Sequence, residues 1–133
     1  MAGKPHSLIR LIKNWGWPKV GERPSAYIVI LGDKTISLTY GIDPGIAAQS
    51  IVLGANGIGF GTCMLTSIQK NALMQSLQIS NQYEILLVIA LGKPREKIVI
   101  ELVGADEDIK YWRDEDGVHH VPKRALADII IDR

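Results

Sequence analysis

Four of the ten residues in GANGIGFGTC, positions 54–63, are glycine. Gly57, Gly59 and Gly61 come within one residue of the G-x-G-x-x-G spacing, whose backbone cradles the pyrophosphate of a dinucleotide. That chemistry needs the glycines to follow a strand and open a helix, so that the helix N-terminus faces the phosphate. Here the order is reversed. The glycines close an apolar helical stretch and lead into TCML, a strand-like run at about 62–65. The segment therefore reads as a helix stop, with Gly57 and Gly59 as C-cap residues that supply a positive φ.

His119-His120 invites a metal reading, but adjacent residues on a strand point to opposite faces and cannot chelate one ion in the usual way. The pair reads instead as solvent-facing residues of a hairpin, and no metal ligand is assigned. Cys63 sits at the start of an apolar strand with no adjacent base, which describes a buried, inert thiol rather than a nucleophile. Asp106–Asp108 and Asp114–Asp116 lack the alternating D-x-D-x-D-G order of a calcium loop and read as a solvated face. Trp15, Trp17 and Trp112 could stack a planar ligand but read as packing or interface residues. There is no G-x-S-x-G, H-E-x-x-H or Walker motif, and no catalytic residue is assigned.

The elements that must position any site follow from periodicity. Leu8, Leu11, Ile12 and Trp15 mark one face of a short helix over Ser7–Trp15, broken by Gly16, Pro18, Gly21 and Pro24. YIVIL (27–31) is a buried strand. Asp43 as N-cap and Pro44 as first helical residue open a helix over about 44–56. Ile46, Ala47, Ala48, Ile51, Val52, Leu53 and Ala55 make that helix apolar on nearly every side, so it must be covered all round, in part by a second subunit. Thr66 and Gln69 suggest a capping box opening a helix to about Gln78, with Leu73, Met74 and Leu77 inward. YEILLVIALG (83–92) is too apolar for an edge strand and reads as central. IVIELV (98–103) is a further extended run. Asp116-Gly117 marks a hairpin turn, Pro122-Lys123-Arg124 ends the hairpin, and ALADIIID follows.

At 133 residues, 47% hydrophobic and 22% charged, the chain is sized for one domain with a core that needs no staples. A net charge of +1 gives no electrostatic case for nucleic acid or an anionic membrane. One cysteine excludes an intramolecular disulfide and favours a reducing cytoplasm. Met1–Pro18 lacks the apolar core of a signal peptide, and Ile85–Leu91 is far short of the roughly 20 residues of a membrane helix. The reading is a soluble cytoplasmic α/β domain, oligomeric, with no self-contained catalytic constellation.

PSAYIVILGD, GIDPGIAAQSIVLGANGIGFGTCML and YEILLVIALGKP occur in the order found in the nitroreductase-like flavoproteins, and the stretch from Arg23 to Asp132 resembles that family. DIKYWRDEDGVHHVPKRALADIIID is similar to a tail found in one subgroup. The resemblance implies an α+β fold, a mixed and mainly antiparallel sheet flanked by helices around a central buried helix. It implies one domain over 1–133, with a divergent segment at 1–22 and a hairpin and tail at 105–133. It implies an intertwined homodimer that binds FMN, takes hydride from NAD(P)H and passes electrons to a small nitroaromatic or quinone-like acceptor. Met64, Leu65, Thr66 and Ser67 match the segment along the flavin ring, and Lys123 and Arg124 match late basic residues that reach the flavin phosphate. The family's early Arg-x-Ser-x-Arg segment and its Asn-containing loop have no counterpart before the first matched strand. The alternative reading is therefore a cofactor-free dimeric remnant, or a fragment of the scaffold, serving as a binding or structural module.

Overall fold

Ten consecutive residues, Tyr83–Gly92, form the longest strand among those described, and its two faces carry two different cores. The structure, a computed structural model, describes Gly21 and residues 23–131. The helix expected over Ser7–Trp15, with Trp15 and Trp17, lies outside them. The described residues divide after Pro94 into two compact units.

In the first unit, β1 (Ala26–Asp33), α1 (Asp43–Gly57), β2 (Gly61–Leu65), α2 (Lys70–Ser76) and β3 (Tyr83–Gly92) follow in chain order. The sheet order is β1-β3-β2, all antiparallel, so β3 is central as its apolar run requires. On one face, Leu87 and Ile89 pack with Ala48 of α1, joined by Ile30, Ile51 and Val52. On the other, Val88 and Ala90 pack with Leu65 and with Leu73 of α2. Strict alternation would place Ile85 with Leu87 and Ile89. Instead β1 pairs Ile30 with Leu87 and Leu31 with Ile85, which leaves Leu86 as a bulge. The bulge reverses the parity, so Ile85 joins the α2 core fully buried.

Helix α1 begins one residue earlier than its composition suggests. Ile42 is the N-cap, in helical geometry and without a side-chain cap, and Asp43 is the first helical residue. The chain is already turning there, because the Asp43 N–H donates to the Tyr40 carbonyl and Ile46 N–H to that of Ile42. Asp43 still places a negative charge beside the helix's positive end. At the other end, Gly59 takes φ +84° and Gly57 stays helical, so Gly59 alone is the left-handed cap glycine. The N–H groups of Gly59 and Phe60 donate to the carbonyls of Asn56 and Ala55, the paired bonds of a Schellman stop.

The described residues cover α1 along a single strip. Ala48 and Ala55 are buried and Ile51 and Val52 half-buried, whereas Ile46 and Leu53 are 58% and 62% exposed. The all-round cover expected from composition is not supplied by the described residues of this chain.

The capping box at Thr66 and Gln69 does not form. Gln69 is itself the N-cap of α2 and makes no side-chain capping bond, and the Thr66 carbonyl accepts from the Ile68 N–H at 2.9 Å. Ile68 packs on the Leu73 cluster, and this burial sets the path of the 66–69 loop in place of a first helical turn. Leu73, Met74 and Leu77 do face the core. Helix α2 ends in a second Schellman stop, with Gln78 N–H on the Gln75 carbonyl and Ile79 N–H on that of Met74. Gln78 adopts φ +54°, a conformation that strains a residue with a Cβ. Gln78→Gly is therefore expected to stabilise the protein by about 1 kcal/mol, read as a higher urea midpoint at unchanged m-value.

Gly32 is required by a close approach. A Cβ there would run into the Tyr40 ring, which sits over the strand at the end of the 34–42 loop. Asp33 ties down the start of that loop, accepting from Thr35 N–H and Oγ1 and from Gln82 Nε2.

The second unit contains β4 (Ile98–Val103), β5 (Trp112–Arg113), β6 (His119–Arg124) and a one-turn helix, α3 (Leu126–Ile129). Its sheet order is β4-β6-β5, with β4 and β6 parallel and β5 antiparallel to β6. The Asp116-Gly117 hairpin forms as expected, but Pro122 does not end it. Strand β6 continues through Pro122 to Arg124, because β5 pairs only with His119 and His120. Beyond them one edge of β6 is unpaired by β5, where proline's missing N–H breaks no ladder.

Candidate functional site

Strand β2 carries Met64 and Leu65 to the start of the 66–69 loop, and the pleat sends their side chains opposite ways. Met64 pairs with Ile89 and lies on the α1 face, 41% exposed. Leu65 pairs with Val88 and is buried in the α2 core, so only its backbone can meet a ligand. Thr66 and Ser67 are exposed, and their backbone N–H groups have no hydrogen-bond partner among the described residues. Two adjacent exposed donors at the end of a rigid strand can stabilise negative charge that develops beside them.

Cys63 is exposed rather than buried, since the α2 core stops at Leu65 and Ala90 and does not extend over it. Partial desolvation still raises its thiol pKa, which keeps it protonated and unreactive near neutrality.

An open cleft of about 320 Å³ borders α2, lined by Lys34, Lys70, Asn71, Asn81 and Glu84 among others. The cleft shares Met74 and Ile85 with the α2 core, so it opens on the face of the sheet opposite the Met64 side chain. Lys70 and Glu84 form an exposed ion pair there at 3.3 Å. Such a pair contributes little to stability.

In the second unit, Lys123 and Arg124 end β6, exposed and without an ion pair among the described residues. The two histidines upstream of them point to opposite faces, as alternation requires, but neither faces solvent freely. The side chains of His119 and His120 are 19% and 18% exposed. His119 Nδ1 lies 3.2 Å from Glu96 Oε2, a carboxylate that also accepts from Arg113, and its ring meets Tyr111 edge-on. His120 Nδ1 lies 2.7 Å from Glu101 Oε1 and Nε2 3.2 Å from Asp114 Oδ2, with Trp112 stacked on the ring. Asp114, read from sequence as part of a solvated acidic face, thus has a defined partner. Among the described residues no group of three or more His, Cys, Asp or Glu side chains could hold a metal ion. No helix among them is long and apolar enough to cross a membrane.

A three-stranded antiparallel sheet with a long helix on one face and a short one on the other defines an α+β scaffold. Residues 17–93, more than half the sequence, match the nitroreductase family. The chain belongs to that family. It is similar to the crystal structure of a nitroreductase family protein from Clostridium novyi NT, with 25% identity and a TM-score of 0.54 over 66% of this chain and 55% of that one. An FMN-dependent nitroreductase from Clostridium difficile R20291 matches at 24% identity and a TM-score of 0.48, over 70% of this chain and 53% of that one. The chain spans about half the length of these solved relatives. No protein of curated function matches it.

Proposed function

We propose that the protein binds FMN and acts as a nitroreductase-like oxidoreductase, carrying electrons from NAD(P)H to a nitroaromatic or quinone-like acceptor, as a cytoplasmic homodimer. The observation that carries this reading is the pair of N–H groups at Thr66 and Ser67, without a partner among the described residues, at the end of β2 in a family-matched scaffold. These residues suit a flavin. Bound FMN would supply the hydride and electron chemistry. Met64 offers an apolar, polarisable side chain to a ring face, and the backbone from Met64 to Ser67 offers donors to the electron-rich edge of the ring. The Leu65 side chain contributes from the core by holding that backbone in place. Lys123 and Arg124 supply two cations suited to a phosphate, with the arginine able to make a bidentate contact.

The partner proposed for the flank of α1 that the described residues leave uncovered is a second copy of the chain. Ile46 and Leu53 lie on one stripe of the helix, and Gly45 and Gly54 have open space beside them, so another backbone can approach closely.

The test is thermal unfolding of the full chain with FMN and with riboflavin. Binding to the native state raises Tm, and FMN is expected to raise it more than riboflavin because only FMN carries the phosphate. Lys123→Ala and Arg124→Ala are each expected to weaken FMN binding about tenfold or more while leaving riboflavin binding unchanged, since a hydrogen bond to a charged group contributes about 1.5–3 kcal/mol. Equal, negligible shifts with both ligands would contradict the reading and favour a cofactor-free module.

A further inference from the structure

We infer that His120 is the centre of a proton-operated clasp, which holds the β5 hairpin against β4 and β6 when the ring carries two protons and releases it when one is lost. The geometry requires both protons. Each ring nitrogen faces a carboxylate oxygen, Glu101 Oε1 from β4 at 2.7 Å and Asp114 Oδ2 from the hairpin turn at 3.2 Å. An ionised carboxylate only accepts, and a neutral imidazole has one N–H to donate, so both contacts form together only with imidazolium. Trp112 stacks parallel on the ring, with centroids 4.9 Å apart and planes 4° apart, and favours the same charged state.

Three segments meet at this one side chain. Strand β5 has only two paired residues, Trp112 opposite His120 and Arg113 opposite His119, so the backbone ladder alone holds it weakly. Asp114 closes the turn as well, because its Oδ1 accepts the Val118 N–H at 2.8 Å while Oδ2 faces His120. The His120 bond is the largest cause of the lowered Asp114 pKa, followed by the Val118 bond, which keeps that partner ionised. On the opposite face of the sheet, Glu96 faces both His119 and Arg113 and so retains a cationic partner whatever the state of His119.

Loss of the ring proton leaves a bare nitrogen lone pair facing a carboxylate, and one of the two contacts must open. The bonds to Glu101 and Asp114 raise the His120 pKa, in that order. The sign follows from the raised value. The clasp's contribution to stability is full below the unfolded histidine value of about 6.5 and is lost as pH rises through the higher folded value.

The experiment is nitrogen NMR of the imidazole rings in the full chain through a pH titration, with Trp fluorescence recorded alongside. His120 is expected to hold protons on both nitrogens above pH 6.5 and to titrate later than an ordinary histidine. Glu101→Gln and Asp114→Asn should each move its midpoint downward. Trp fluorescence should change through the same midpoint, and Trp112→Phe should abolish that change. A His120 midpoint at or below 6.5 in the unaltered protein would overturn the clasp, and this needs no variant to fold. So would a fluorescence transition that persists in Trp112→Phe.

Discussion

Leu53→Glu in α1 is expected to convert the proposed dimer into a monomer without unfolding it. Leu53 is 62% exposed in the single chain and seven residues from Ile46, so the two share one stripe of the helix. Burying a leucine side chain contributes about 1.5–3 kcal/mol, and two-fold symmetry applies that twice. A carboxylate at the same place adds the cost of desolvating an unpaired charge. The summed loss corresponds to a weakening of association by roughly two orders of magnitude or more. The variant monomer should keep its helix, because α1 is anchored on the sheet through Ala48, Ile51 and Val52, on the other side. Light scattering on the eluting protein gives the mass and circular dichroism the helix content. A Leu53→Glu protein that remains dimeric would place the contact elsewhere.

Ile85→Ala is expected to be the most damaging of the single truncations considered, at about 2–5 kcal/mol, out of a stability typically of 5–15 kcal/mol. Ile85 is fully buried in the α2 core, on the central strand. The neighbouring Leu86→Ala should cost less, because Leu86 occupies the bulge and is only half-buried. Urea unfolding of the two variants compares them directly. A larger loss for Leu86→Ala would mean that β3 keeps regular alternation and that the bulge is misplaced.

These contrasts show how far the sequence could be read. The centrality of β3 was legible because a ten-residue apolar run needs cover on both faces. Its bulge was not, since the pattern YEILL offers an apolar residue at every position from Ile85 onward and so hides a change of parity. Gly59 was legible as a helix stop because glycine tolerates its φ. The equivalent stop at Gln78 was not, because glutamine gives no local sign of a left-handed residue and the turn is imposed by packing Met74 and Ile79 on the core. The apolar character of α1 was legible, and the structure separates it into a strip facing the sheet and a flank that the described residues leave open.

The candidate site divides in the same way. Met64–Ser67 and Lys123-Arg124 were singled out by family resemblance, with no local chemistry to mark them. The structure adds the buried side chain of Leu65 and, after it, the exposed donors that have no partner among the described residues. The environment of His120 was out of reach of sequence reasoning for a topological reason. Glu101 lies nineteen residues away and meets the ring only because β4 and β6 run parallel. Pairing of that kind leaves no periodic trace.

Whether a paired copy of this scaffold holds a flavin, as proposed, is decided by incubating the full chain with excess FMN, removing free ligand by gel filtration and recording the visible spectrum of the protein peak. The expected result is a dimer-sized peak carrying the flavin bands at close to one FMN per chain. A colourless peak, or flavin eluting only with the small molecules, would contradict it.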